Sequence, residues 1–462
     1  MLTRVRVFLR ASFFLIAVLA VNSQAQSPEL QQILDRLDRL ERANRALIEE
    51  VRALRSEQAA ARNQPAAEAP GEPEKYLPER VAVQERRTEE LAQAKVESSQ
   101  KFPIQFTGMV LFNAFLNSRH ADDSDNAAVA SLPAGRASGG ATLRQTVLGL
   151  TYRGPETWGG GKIQGSVLMD FFSSAGLYDS EGLYAPDSPG MRLRTASVSV
   201  AWKTRSVTVG QLKPLISPRE PDSLAQVGEP PLSSAGNLWL WRPQVRFEQQ
   251  LPLGERSGLR AQVGLLETSE DSAAVPQTWA STLEPSRPAI EGRFELSHRF
   301  DSSRRLEIAP GFHASTTHVA GAAVPSNVFS LDGLLIPVPK LEFSGAFFTG
   351  QNVANLGALG QGFRVLQAGQ VLPVHSTGGW VQAAFLPTAR LSFHFFAGQQ
   401  KDRESDLYAG RIGRNRAYGA NAMFRLAPNV IVAFETAQRR TYYIGKGTGL
   451  HQHYDLALAY LF

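Results

Sequence analysis

The 462-residue sequence predicts an all-β fold, a closed antiparallel transmembrane β-barrel of about 16 strands preceded by an α-helical coiled-coil arm. Three observations predict it. From Phe102 onward apolar residues alternate with a period of two. The candidate strands are joined by connections that are long and short in turn. The chain closes on apolar residues spaced two apart: Tyr454, Leu456, Leu458, Tyr460 and Phe462. A soluble sandwich has no reason to alternate its connections. A bacterial outer-membrane barrel does, having short periplasmic turns, longer outside loops and an even number of strands.

Composition narrows the class. With 43% hydrophobic residues and 25 phenylalanines, the chain is too apolar and aromatic to be disordered. It has no cysteine, which excludes disulfides, thiolate metal sites and cysteine nucleophiles. Residues 1–100 carry acidic and basic groups in equal number, so the net charge of +5 lies wholly in 101–462. There it is spread thinly and forms no basic stripe for nucleic acid.

The elements follow in chain order. Residues 1–25 read as a secretory signal: Arg4, Arg6 and Arg10, an apolar stretch Ala11–Val21, and small residues at Ser23-Gln24-Ala25 before the cut. A spanning helix needs about 20 apolar residues, and no segment supplies that run. Residues 26–60 form a periplasmic coiled coil. Leu30, Leu37, Asn44 and Val51 are seven apart, with Ile33, Leu40, Leu47 and Leu54 three after each. This a/d seam is too narrow to bury itself in a monomer, so it implies oligomerisation, with Asn44 fixing register. Residues 61–100 are a linker rich in Pro, Ala and Glu (Gln64–Pro78) and a second charged helix.

Residues 101–462 make the barrel. The candidate strands are 104–117, 142–154, 161–174, 191–203, 205–213, 240–250, 258–267, 288–300, 304–316, 326–336, 339–350, 377–386, 389–400, 415–427, 429–440 and 451–462. The long connections between them are 118–141, 175–190, 214–239, 268–287, 317–325, 351–376, 401–414 and 441–450. In 240–250, Trp241, Val245 and Phe247 share one face, and Arg242, Gln244, Arg246 and Glu248 the other. In 288–300, Ile290, Phe294 and Leu296 oppose Glu291, Arg293, Glu295 and Arg299. One apolar and one charged face around a closed sheet is a lipid exterior around a wet lumen.

No segment carries a catalytic or metal-binding motif. Gly159-Gly160-Gly161-Lys162 lacks the Ser/Thr and the helix of a phosphate loop. His451 and His453 read as a strand end at the rim, with no third ligand for a metal. Ser392 and His394 share a face but have no evident orienting partner, and read as lumen lining. The sequence therefore predicts a protein that is not an enzyme and has no cofactor. Expected pore-lining residues are Arg242, Arg246, Arg293, Arg299, Glu291 and Glu295. Lys213 and Arg219 stand at the start of a long third loop that folds inward to make a constriction. An arginine excess at that constriction favours anions, and these lumen groups are expected to face water.

Several segments resemble the DcaP-type trimeric outer-membrane porins with an N-terminal periplasmic coiled coil. They are Gly154-Pro155-Glu156-Thr157-Trp158-Gly159-Gly160-Gly161-Lys162, Asp170-Phe171-Phe172, Arg192-Leu193-Arg194, Gly210-Gln211 and Arg242-Pro243-Gln244-Val245-Arg246. The terminal run ending at Phe462 resembles the aromatic signal by which such barrels are recognised for assembly. The resemblance implies a homotrimer in the outer membrane with its arm in the periplasm. Its partners would be outer-membrane lipids and the barrel-assembly machinery, and small anionic or neutral solutes would diffuse through three parallel pores. The long loops show no match. The alternative is a structural protein whose barrel anchors a periplasmic coiled-coil tether, but an anchor needs only about eight strands with a filled interior.

Overall fold

The computed structural model describes residues 103–133, 135–173, 190–270, 275–366 and 368–462. The expected signal segment, coiled coil, linker and second helix lie outside the described residues.

The described residues form a closed antiparallel barrel. In order it comprises β1 (Ile104–Asn117), β2 (Ser138–Thr142), β3 (Val147–Thr157), β4 (Gly161–Ser173), β5 (Gly190–Ala201), β6 (Arg205–Leu212), β7 (Arg242–Pro252) and β8 (Ser257–Ser269). There follow β9 (Ser286–Arg299), β10 (Arg305–Val319), β11 (Ala322–Val338), β12 (Leu341–Gln351), a small outside hairpin β13 (Phe363–Val365) and β14 (Val371–Pro373), and β15 (His375–Phe385). The wall ends with β16 (Leu391–Asp402), β17 (Ile412–Ala427), β18 (Val430–Tyr443) and β19 (Gly447–Leu461). β2 and β3 both pair with β1 and are one wall strand interrupted at 143–146, so the wall has sixteen strands. Each lies within about four residues of its predicted bounds. β19 closes the circle on β1, from Met109 opposite Leu461 to Asn117 opposite His453, which leaves no strand edge for hydrocarbon to strand unpaired.

Alternation sorts the side chains. Val245, Phe247, Ile290, Phe294, Leu296, Phe434, Tyr454, Leu456, Leu458, Tyr460 and Phe462 are exposed on the outer face, while Glu291, Arg293, Glu295, Glu435 and Arg439 are buried on the inner one. In water alone the outer face would be a costly apolar surface; in lipid it is the stable one.

Three expectations need correction. Two connections read as long are tight. β10 and β11 are joined by Ala320 and Gly321 alone, both with positive φ, the two-residue turn whose twist matches paired strands. β18 and β19 are joined by 444–446. Trp241 does not join Val245 and Phe247 outside; it precedes β7 and is buried at 9% exposure. His451 and His453 are not at a rim but are wholly buried inside the wall, both directed at the Asn117 Oδ1.

Candidate functional site: the lumen constriction

The connection from Lys213 to Trp241, here called L3, folds into the barrel and touches most of its inner wall. The Leu215 amide donates to Glu291 Oε2 on β9 (2.6 Å). The Asp222 amide donates to Gln382 Oε1 on β15 (2.7 Å), and Ser223 Oγ donates to Glu435 Oε2 on β18 (2.6 Å). Asn113 on β1 donates to the Leu224 carbonyl (2.8 Å), and Asn415 on β17 to the Ser234 carbonyl (3.1 Å). Leu215, Ile216, Leu232 and Leu238 are buried under the loop, and Leu232 and Ala235 join Trp380, Phe396 and Ala417 of the wall. At Gly236 the loop backbone lies so close to β15 that an added Cβ would sit 2.3 Å from the Gly379 carbonyl oxygen. Only glycine fits there.

The break in the second wall strand serves the same loop. The amide of Thr146 closes a turn on Leu143 (3.0 Å), which aims Gln145 into the lumen. Gln145 is fully buried, donates to the Ala225 carbonyl (2.9 Å) and accepts from the amides of Val227 (2.6 Å) and Gly228 (3.0 Å). A side-chain amide with both ends satisfied holds a loop apex as a strand ladder would.

Two charged groups define the space around L3. The first is a neutralised knot. Asp332, fully buried on β11, receives Arg293 through Nε (2.7 Å) and Nη2 (2.7 Å) and Arg219 of L3 through Nε (3.1 Å). Arg293 and Arg260 also reach Glu295 (2.7 and 2.6 Å), and Arg219 reaches Glu307. Arg293 is 1% exposed; it does not face water as the sequence reading expected. Its positive charge is compensated within the wall, because an uncompensated charge at that depth would be prohibitive. Glu291 is likewise taken up by Leu215 and by His313 (2.9 Å).

The second group is an arginine–aromatic ladder on the adjoining stretch of wall, β4 to β7. Arg192 is bidentate on Asp170 (3.1 and 2.7 Å) and donates to the Gly228 carbonyl of L3 (2.5 Å). Its guanidinium lies 5.0 Å from the Phe172 ring centre and 5.1 Å from that of Trp241, with Arg144 4.0 Å over Phe172 and Arg194 4.9 Å over Trp241. Arg194 stands 3.7 Å from an Asp170 oxygen already held by Arg192. Arg242 donates to the Asn355 carbonyl (3.1 and 2.6 Å), with its closest carboxylate, Glu267, 3.9 Å away. Arg246 donates to the Lys213 carbonyl (2.9 Å) and to Gln244 (2.8 Å), both neutral. Lys213 pairs with Glu220.

Of the residues picked from sequence, the structure thus brings Arg219, Arg293 and Glu295 into one knot and sets Glu291 beside it. It places Arg242 and Arg246 on β7, next to the knot's strands, and Lys213 at the start of L3. Arg299 is exposed near the short-turn end, remote from both. Sequence reasoning missed Arg144, Arg192 and Arg194 as lumen groups. A register shift between Leu168 and Met169 skips Arg194 in the β4–β5 ladder, and strict alternation does not anticipate a bulge. The available signal was the Arg192-Leu193-Arg194 spacing. Among the described residues no cluster of side chains is suited to hold a metal ion. His394 bonds Asn421 (2.7 Å).

No family model matches the chain, and no curated protein sequence does. Solved structures do match in fold. The outer-membrane channel DcaP of Acinetobacter baumannii is 14% identical with a TM-score of 0.63, over 78% of this chain and 97% of that one. The anion-selective porin from Comamonas acidovorans is 13% identical with a TM-score of 0.51, over 78% of this chain and 99% of that one. The sixteen-stranded barrel is therefore the fold of DcaP-type channels.

Proposed function

We propose that this protein is an outer-membrane porin giving passive diffusion of small hydrophilic solutes, with a preference for anions, and that it works as a homotrimer with its N-terminal arm in the periplasm. The observation that carries the reading is the asymmetry of the constriction. Over β8–β11 L3 is tied down by a knot in which carboxylates answer every guanidinium. On the adjoining β5 and β7, Arg194, Arg242 and Arg246 face the lumen with no carboxylate nearer than 3.7 Å among the described residues.

Fixed positive charge beside a narrow, low-dielectric passage lowers the free energy of an anion there and raises that of a cation. The aromatic rings of Phe172 and Trp241 hold the guanidiniums in place through their faces without neutralising them. No bond need be made or broken, and no cofactor is required. The likeness of the barrel to a porin described as anion-selective supports the same direction.

The test is the reversal potential in planar bilayers under a salt gradient. Wild type is expected to favour the anion. Replacing Arg194, Arg242 and Arg246 together by Gln should move the potential toward cations, most strongly in dilute salt, where screening reaches only beyond about 10 Å at 0.1 M. Arg403 and Arg411, on an outside loop, should matter less when changed the same way. A wild-type pore that prefers cations, or a triple variant with unmoved selectivity, overturns the anion reading. A protein that forms no pore overturns the porin reading itself.

A further inference from the structure

The outer wall over β15–β18 carries a basic belt at the end bearing the long loops. Across β16 and β17, Lys401 stands directly opposite Arg414. Across β17 and β18, Arg416 stands directly opposite Arg440. Their neighbours Gln400, Asn415, Ala417 and Arg439 are buried on the lumen side, so alternation sends these four cations outward. Beside them, His375 and Arg403 rim an external depression of about 570 Å³ whose other lining groups include Asn327, Thr349 and Thr377.

Like charges directly opposite on neighbouring strands destabilise a sheet, and here two such pairs lie side by side. Their contacts among the described residues are neutral. Arg416 donates to Gln399 Oε1 (2.5 Å), Arg440 donates to Gln438 Oε1 (2.8 Å), and Arg414 lies 5.8 Å from the Tyr442 ring centre. The nearby carboxylates are engaged elsewhere. Asp402 is buried on the lumen side, accepting from Ser376 and Gln400 (2.6 and 2.9 Å). Asp406 accepts from the amide and ring of His375 (3.1 and 2.9 Å). Toward the short-turn end the same wall becomes apolar, with Tyr418, Phe395, Phe434 and Val381 exposed.

We propose that this face binds a multiply phosphorylated lipid of the outer leaflet. Its phosphates neutralise Lys401, Arg414, Arg416 and Arg440, and its acyl chains run down over Tyr418, Phe395 and Phe434. The proposal rests on the reading of the barrel as an outer-membrane protein with its long loops outside. A lipid is favoured over free phosphate because the belt continues directly into the apolar wall. Guanidiniums suit the head group because they take phosphate oxygens bidentately.

The test uses the full-length protein refolded in a non-ionic detergent and titrated with a bisphosphorylated diglucosamine lipid, with phosphatidylethanolamine and inorganic phosphate as comparisons. Wild type should bind the bisphosphorylated lipid tightly and the other two weakly. Each basic residue beside an anionic lipid surface contributes about fivefold, so the quadruple change Lys401→Gln, Arg414→Gln, Arg416→Gln and Arg440→Gln should weaken binding by about 600-fold. Changing Arg416 and Arg440 alone should weaken it by about 25-fold, and carries the test if the quadruple variant does not fold. Arg205→Gln, at the opposite end, should change nothing. Equal binding of phosphatidylethanolamine, equal uptake of inorganic phosphate, or a variant that binds like wild type overturns the proposal. Bilayer conductance of the same samples reads the porin function separately: a conducting wild type that ignores the lipid sinks this inference alone, and a lipid-binding protein that does not conduct sinks the other.

Discussion

Glu229, in L3, shows how burial makes a single side chain sensitive to pH. Burial first, then the charge of nearby Asp122, pushes its carboxyl up to about 7. On the facing loop, burial raises Asp125 to about 6 against the opposing pull of Arg144. A carboxyl whose pKa is higher folded than unfolded holds its proton more firmly in the native state, so between the two values stability falls as pH rises. For Glu229 the favourable contribution is present in acid and lost on passing from the ordinary 4.5 through about 7. The detergent-solubilised protein should therefore melt at a higher temperature at about pH 5 than at about pH 8. Glu229→Gln should flatten that difference, mainly by stabilising the protein at the higher pH. A difference of unchanged size in the variant would assign the effect to other groups.

At the scale of elements, L3 is held by polar latches on β1, β5, β9, β11, β15, β17 and β18 and by apolar patches between them. The most consequential latch is Asp332, which with Glu295 joins Arg293 of the wall to Arg219 of the loop. Asp332→Ala leaves the buried Arg293 and the part-buried Arg219 each short of a partner, a loss of about 3–5 kcal/mol when a buried pair is broken. The melting temperature should drop and single-channel current should become larger and noisier, whereas Arg403→Gln, on an exposed loop, should leave both nearly unchanged. A quiet, wild-type-like current in Asp332→Ala would show that the remaining latches suffice. These latches were largely illegible in the sequence, since no periodicity reports which inward carboxylate meets which loop arginine. The strands were legible because lipid on one side and water on the other force a period of two. That signal fails where strands rise beyond the membrane and both faces are polar, as in Thr316-Thr317-His318. There β10, β11, β18 and β19 run on to tight turns that read as long loops. Arg194 was hidden for a related reason, because a bulge breaks the parity on which the reading depends.

For the whole molecule, the question is which parts depend on the N-terminal arm. The barrel closes between β1 and β19 through nine consecutive residue pairs, using nothing before Ile104. Among the described residues L3 is likewise anchored on the barrel wall and its loops. Closure and constriction are therefore expected to survive without the arm. For the heptad spacing from Leu30 to Leu54 we propose a different role: it meets its own copies, and three such copies align three pores in one direction. Deleting residues 29–100 should therefore leave unit conductance and ion selectivity as in the full-length protein, because both are set at the constriction. The same deletion should lower the fraction of trimer that survives mild detergent, and bilayer insertion should shift from triplet current steps toward single ones. Native mass measurement and crosslinking of both proteins decide between the outcomes. A full-length protein that is monomeric removes the trimer. A deletion whose trimer is as durable as the parent's places the assembly energy in the barrel walls instead of the arm.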